Sequence, residues 1–282
     1  MYFGAHVSAA GGIDKVPERA HAIGAECVQF FLNSPHGGTR TAPTTELADA
    51  FKRNCEKYKI HSSWIHAPYF INLASKNNRI YYGSISAIKK DLLGASLIGA
   101  DGVIMHLGSA RDFSEDEYDA AIAKAVGGIG KILEGYSGSA KLVLEISAGA
   151  GRIIGSSLEE MAQFLTQCQG VGGFCLDTAH AFESGWELRG AEAVKQLVDK
   201  IEKMVGMDKL ALIHCNDSKS AFASHKDRHE HLGQGEIGSE SFAALVDDKR
   251  LAGVDYILET PTEEGIIKDL ELLKGFRKKL KI

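Results

Sequence analysis

The chain has 282 residues, 44% of them apolar, which is enough for one large α/β unit or two ordinary domains. No run approaches the ~20 apolar residues that cross a bilayer, and the N-terminus lacks the basic and apolar regions of a signal peptide, so a cytoplasmic protein is expected. The formal charge of −5 speaks against a nucleic-acid binder by charge alone, although three divalent ions would add six charges and reverse the sign in one place.

Apolar, β-rich runs recur along the chain, each followed by a turn and a helical pattern: residues 2–7, 27–32, 63–66, 102–107, 141–146, 173–177, 210–214 and 255–259. The first helical stripe is Ile13, Val16, Ala20 and Ile23, closed by Gly24, and the second is Leu47, Phe51, Cys55 and Tyr58. Ile88, Leu92 and Ala95 precede Gly99, and Tyr118, Ile122, Ile129 and Leu133 precede Gly135. Ser157 and Glu160 form a capping box ahead of Met161 and Leu165. Val194, Leu197 and Ile201, then Phe242 and Leu245, then Ile266, Leu270 and Leu273 complete the set. Gly127, Gly128 and Gly130 weaken the fourth helix without an evident sequence-level reason. Eight strand and helix alternations with no low-complexity linker predict a (β/α)8 TIM barrel of the α/β class, one domain spanning 1–282. Cys27, Cys55, Cys168, Cys175 and Cys215 are odd in number, form no C-x-x-C and lie mostly beside apolar residues, as reduced core cysteines do.

In such a barrel the chemistry sits at the C-terminal ends of the strands. Here those ends carry His6, Asn33, His66, His106, Glu145, Asp177, His214 and Glu259, seven of the eight being His, Asp or Glu. A single such histidine is ordinarily a satisfied core residue. Seven converging ones would cost several kcal/mol in desolvation and repulsion unless a metal neutralised them. Two loops add to the set. Asp177 and His180 are spaced three apart at a helix start, where both can face the barrel axis, and Asp227 and His229 are spaced two apart, which points both side chains the same way. Nine ligand-type residues apart from His6 are too many for one ion. They suit two or three ions sharing a bridging carboxylate, an arrangement fitted to phosphodiester cleavage.

The segments Gly4 to Gly12, His66 to Leu73, Asp177 to Phe182, Asn216 to Lys219, Asp227 to His229 and Leu232 to Gly238 together resemble the endonuclease IV family of tri-zinc apurinic/apyrimidinic endonucleases in DNA base-excision repair. The resemblance runs from about residue 2 to 260. It implies hydrolysis of the bond 5′ to an abasic site in duplex DNA, leaving a 3′-hydroxyl and a 5′-deoxyribose phosphate, with 3′-blocked ends as further substrates and a monomeric protein. It assigns His66, His106 and Glu145 to one zinc. Glu145, Asp177, His214 and Glu259 fall to a second, and His180, Asp227 and His229 to a third, with manganese admissible at one position. Glu145 is then both bridging ligand and base for the attacking water, while His6 and Tyr69 lie near the DNA. Lys219, Arg228 and Lys226 are candidate phosphate contacts.

The chain departs from the family pattern in three places. The groove-probing loop after strand two is Asn33 to Arg40, without a tryptophan and with Arg40 displaced, which leaves Pro35, His36 and Arg40 as candidate probes. Ile146 stands where the family has Asn, and Leu107 where it has Pro. The competing expectation is a xylose-isomerase-like sugar isomerase or epimerase, whose single metal needs only Glu145, Asp177, His214 and Glu259. A non-catalytic metal-stabilised binding module would need no open coordination position. His21, His36, His61, His225 and His231 are expected on solvated surfaces, His36 and His231 near the groove.

Overall fold

The computed structural model describes residues 1–37 and 41–279. The eight long strands are β1 (Phe3–His6), β2 (Cys27–Phe30), β3 (Ser63–His66), β4 (Gly102–Met105), β5 (Lys141–Glu145), β6 (Gly173–Asp177), β7 (Leu210–His214) and β10 (Asp255–Leu258). They close into a barrel in the order β1-β10-β7-β6-β5-β4-β3-β2, and every pair is parallel. Between β7 and β10 a short antiparallel hairpin, β8 (Asp217–Ser218) and β9 (His229–Glu230), stands outside the barrel. The helices are α1 (Val16–Ala22), α2 (Thr45–Tyr58), α3 (Asn78–Ile98), α4 (Tyr118–Leu133), α5 (Leu158–Gln167), α6 (Thr178–Ser184), α7 (Gly190–Met204), α8 (Ser239–Asp247) and α9 (Glu263–Lys279).

The strands are buried on both faces, as helix-covered parallel strands must be, and so read as apolar runs. Their alternation is still decisive, because side chains point to opposite faces with period two. Phe30, Ile65, Val103, Leu144, Phe174 and Ile213 face the helices and join the large core, whereas Cys27, Trp64, Ile104, Val143, Cys175, Leu212 and Ile257 fill the barrel interior. Two residues after each interior side chain the same face presents Gln29, His66, His106, Glu145, Asp177, His214 and Glu259 in turn. Eight strands thus convert one periodicity into a polar ring at the barrel mouth, with His6 of β1 as its eighth member.

The helix ends follow local chemistry. Thr44 and Asn77 cap α2 and α3 through their side chains, Ser157 accepts from the Glu160 N–H at 3.1 Å, and Gly99 takes the left-handed conformation that ends α3. The glycines of α4 have a packing reason: a side chain at the buried Gly128 would press on Leu73 and Tyr81 at 3.3 Å. All five cysteines are free, and four are buried.

The structure corrects one strand. The run 27–32 is expected to end at Asn33, but β2 stops at Phe30, so Asn33 lies beyond the ring and Gln29 supplies its second member.

Candidate metal centre

Glu145 is fully buried at the end of β5 and touches imidazoles from four other elements. Its Oε2 lies 3.1 Å from His66 Nε2 and 3.3 Å from His106 Nε2, and its Oε1 lies 2.9 Å from His214 Nδ1 and 3.5 Å from His180 Nδ1. His214 Nδ1 also faces Glu259 Oε2 at 3.3 Å and Asp177 Oδ2 at 3.9 Å. His229 Nε2 lies 3.5 Å from Asp177 Oδ2 and 3.4 Å from His180 Nε2.

Three sets of ligand atoms lie within 4.8 Å of one another, close enough to hold a cation: His66, His106 and Glu145; Glu145, Asp177, His214 and Glu259; and Asp177, His180 and His229. The first two are the sets that the sequence resemblance implies. In the third, Asp177 stands where Asp227 is expected. Asp227 is not far away, with its Oδ1 3.4 Å from His180 Nε2 and 3.7 Å from His229 Nε2, but its side chain is 52% exposed at the rim.

The hydrogen-bonding pattern fits a metal. His66 Nδ1 donates to the Ala67 carbonyl at 2.7 Å, His180 Nδ1 to that of Ile146 at 3.1 Å, and His229 Nδ1 to that of Glu259 at 3.3 Å. Carbonyls only accept, so each outer nitrogen carries the proton and each Nε2 turns inward, the usual outer arrangement around metal-bound histidine. The two inner nitrogens of His180 and His229 then meet with no room for a proton on both. A cation between them would satisfy both nitrogens.

The electrostatics agree. Burial alone would push Glu145 up, but His106, His214 and the hydrogen bonds from His180 and His214 outweigh it and hold the carboxyl well below the usual range. Burial would likewise lower His180, yet Asp177, Asp227 and Glu145 raise it well above an ordinary histidine. Those extra protons occupy positions that a divalent cation would take, so binding one must displace them.

Outer contacts hold the ligands in place. Asn216 Nδ2 donates to Asp177 Oδ2 at 2.8 Å while its Oδ1 accepts from the Glu259 N–H at 2.8 Å, so one amide sets two ligands. Asp217 accepts the N–H groups of Gly233, Gly235, Ile237 and Gly238, folding the glycine-rich stretch beneath the hairpin. Ile146 and Leu107, two of the three departures expected from the sequence, are buried. His180 uses only the main chain of Ile146, so the altered side chain leaves that contact intact.

A cavity of about 460 Å³ opens over the ligands, lined by His6, Phe31, Tyr69, Arg228 and Thr260 beside them. Tyr69 is 65% exposed and stands edge-on to Phe31, 5.2 Å between ring centres. Arg228 is exposed next to Asp227. Lys219 and Lys226 are exposed in the hairpin loop and are not among the described residues lining this cavity. Arg40 lies outside the described residues. His36 is exposed beside Tyr69, 6.0 Å between ring centres. His231 is not a solvated surface histidine: Asp269 holds its Nδ1 at 2.8 Å and Thr262 its Nε2 at 3.1 Å.

Gln29 and Phe31 escape a sequence reading. Gln29 sits inside an apolar run with no motif around it, and only the strict alternation of β2 places it on the inner face.

Residues 17–276 match the family model described as "Xylose isomerase-like TIM barrel". The chain is 33% identical to the "Probable endonuclease 4" of Halothermothrix orenii over 99% of its own length and 100% of that protein. The chain belongs to the endonuclease IV family. The crystal structure of endonuclease IV from Thermus thermophilus superposes with a TM-score of 0.88 at 29% identity, covering 99% of this chain and 100% of that one. A D-tagatose 3-epimerase-like protein matches at a TM-score of 0.76 and 18% identity, over 100% of this chain and 98% of that one, a likeness of fold alone. Two further ligand groups adjoin the Glu145, Asp177, His214 and Glu259 set in this chain.

Proposed function

We propose that this chain is a metal-dependent endonuclease that hydrolyses the DNA phosphodiester bond 5′ to abasic sites in base-excision repair, leaving a 3′-hydroxyl and a 5′-deoxyribose phosphate. Duplex DNA with abasic or 3′-blocked sites is the substrate, and three zinc ions are the cofactor, with manganese admissible at one position. In this reading residues 1–282 act as one cytoplasmic, monomeric barrel domain with the metal cluster at the C-terminal face of its strands. His66, His106 and Glu145 hold one ion, Glu145, Asp177, His214 and Glu259 the second, and His180, Asp227 and His229 the third, with Asp177 beside the last group.

The observation that carries the reading is the set of three adjoining ligand groups at the barrel mouth, joined through Glu145 and Asp177. A sugar isomerase would use one group and leave the others as uncompensated buried charge. When bound, the ions supply charge stabilisation to the phosphate and acidify water. Glu145, held ionised, is the residue available to take the proton of the attacking water. His6, Tyr69 and Arg228 line the cavity where the DNA backbone must approach, Lys219 is assigned to phosphate, and Arg40 is assigned to DNA contact from the loop after β2. An abasic nucleotide has lost its stacking, so extruding it toward the ions costs less than extruding an intact one.

The test is nicking of a duplex carrying one abasic-site analogue, with and without chelator. Equal cutting of intact duplex, or cutting indifferent to chelator, would remove the proposal.

A further inference from the structure

We propose that Gln29 is a positioning residue that fixes which nitrogen of His214 faces the cations and holds Glu259 beside it, an inference that rests on the metal-centre reading above. Its partners dictate how the amide is turned. The Glu259 carboxylate only accepts, so the Gln29 atom 2.6 Å from its Oε1 is the donating Nε2. The second amide hydrogen points to His6 Nδ1 at 3.0 Å, which leaves the His6 ring proton on Nε2. The amide Oε1 then faces His214 Nε2 at 2.7 Å. An amide oxygen only accepts, so His214 Nε2 carries a proton, and Nδ1 is the nitrogen left to a cation between Glu145 and Glu259. The reversed amide would set oxygen against the carboxylate, repelling where the observed one binds.

Gln29 is fully buried on the inner face of β2, where no solvent can replace these three contacts. It is uncharged, so it contributes direction and leaves the charge balance of the site untouched. His66, His180 and His229 are tied by main-chain carbonyls that no substitution removes, but His214 is tied by a side chain. That link can be cut.

The experiment uses full-length protein reconstituted with zinc. Gln29→Met keeps length and volume and removes all three hydrogen bonds. Zinc titrated against a competing chelator should show one ion bound about 10–100-fold more weakly in Gln29→Met, the scale of losing an outer partner of a ligand, with the others unchanged. In the zinc-loaded wild type, nitrogen NMR of the imidazoles should place the His214 proton on Nε2. Zinc affinities unchanged in folded Gln29→Met, or a wild-type His214 with its proton on Nδ1, would each overturn the proposal. The wild-type measurement decides even if the variant fails to fold. Neither readout involves DNA, so a wild type that does not nick abasic duplex would sink the endonuclease reading and leave this one to be judged on zinc alone.

Discussion

Glu145 Oε1 and His214 Nδ1 lie 2.9 Å apart, a buried contact that links β5 to β7 across the intervening β6. The other carboxylate oxygen faces His66 and His106. One side chain therefore belongs to two ligand groups, and no other described residue joins those two. Its neighbours determine its charge as well as its place.

Glu145→Gln should consequently be the most damaging single-atom change in the site. The amide keeps the shape but removes the charge that two ligand groups share and, on the proposed function, the base for water. Abasic-site cleavage should fall by more than the ~10–100-fold typical of an outer-sphere partner, while binding to abasic duplex stays measurable. Single-turnover cleavage beside equilibrium binding is the check, and near-normal turnover would deny the shared role.

Purified protein should carry about three zinc ions by elemental analysis, and chelation should abolish nicking and lower Tm together. Any cation that binds only the folded state stabilises it by mass action, about 2.7 kcal/mol for each site held at a hundredfold excess over its Kd. A stoichiometry of one that added zinc or manganese does not raise would return the protein to the isomerase reading.

Glu183 gives a pH dependence with a defined sign. It is buried in α6, where its Oε1 accepts from Ser218 Oγ at 2.7 Å and from the Arg228 N–H at 3.2 Å, and its Oε2 has no hydrogen-bond partner among the described residues. Burial, offset only in part by Ser218 and His180, pushes its pKa up to about 7. The folded state therefore holds this proton more tightly than the unfolded chain does. The stability it contributes is complete below the ordinary carboxylate range and is lost as pH rises through about 7. Glu183→Gln keeps the acceptor for Ser218 and removes the ionisation. In metal-free protein the Tm of the variant relative to wild type should climb between about pH 5 and pH 7 and level off above that. Parallel curves would show that the group does not titrate there.

The convergence of most of the candidate ligands was legible in the sequence because a barrel turns chain order into angular order. Once His66, Glu145, Asp177 and His214 are recognised as strand ends, their convergence follows without further information. Three features were less accessible, for different reasons. Gln29 was hidden because it is a lone polar residue inside the apolar run Cys27 to Leu32 with no motif around it, and only the observed end at Phe30 makes the alternation count. Asp177 appears beside His180 and His229 because β6 and α6 bring its second oxygen to them, a matter of rotamer that spacing cannot express. The anchoring of the half-buried His231 depends on Asp269 in α9, a partner 38 residues away that no local pattern announces.

On the proposed function, Tyr69 is the planar surface expected to discriminate the lesion. Its ring is 65% exposed, braced edge-on by Phe31 and 6.3 Å from the His66 ring between centres, so it borders the cavity over the ligands. The loop after β2 has no tryptophan, and its glycine, serine and threonine residues cannot fill the gap left by an extruded nucleotide. Beside the candidate probes Pro35, His36 and Arg40, this ring is expected to stack on the lesion, worth about 1–3 kcal/mol per base where an aromatic is removed. Tyr69→Ala should weaken binding to abasic duplex by that amount, leave the zinc content unchanged and narrow the preference over intact duplex. Arg40→Ala, by comparison, should cost about 1–2 kcal/mol, the scale of a charge-assisted contact. Binding titrations at fixed salt on the two duplexes measure both. If Tyr69→Ala binds abasic and intact DNA as the wild type does, the ring does not stack on the lesion and recognition lies elsewhere in the groove.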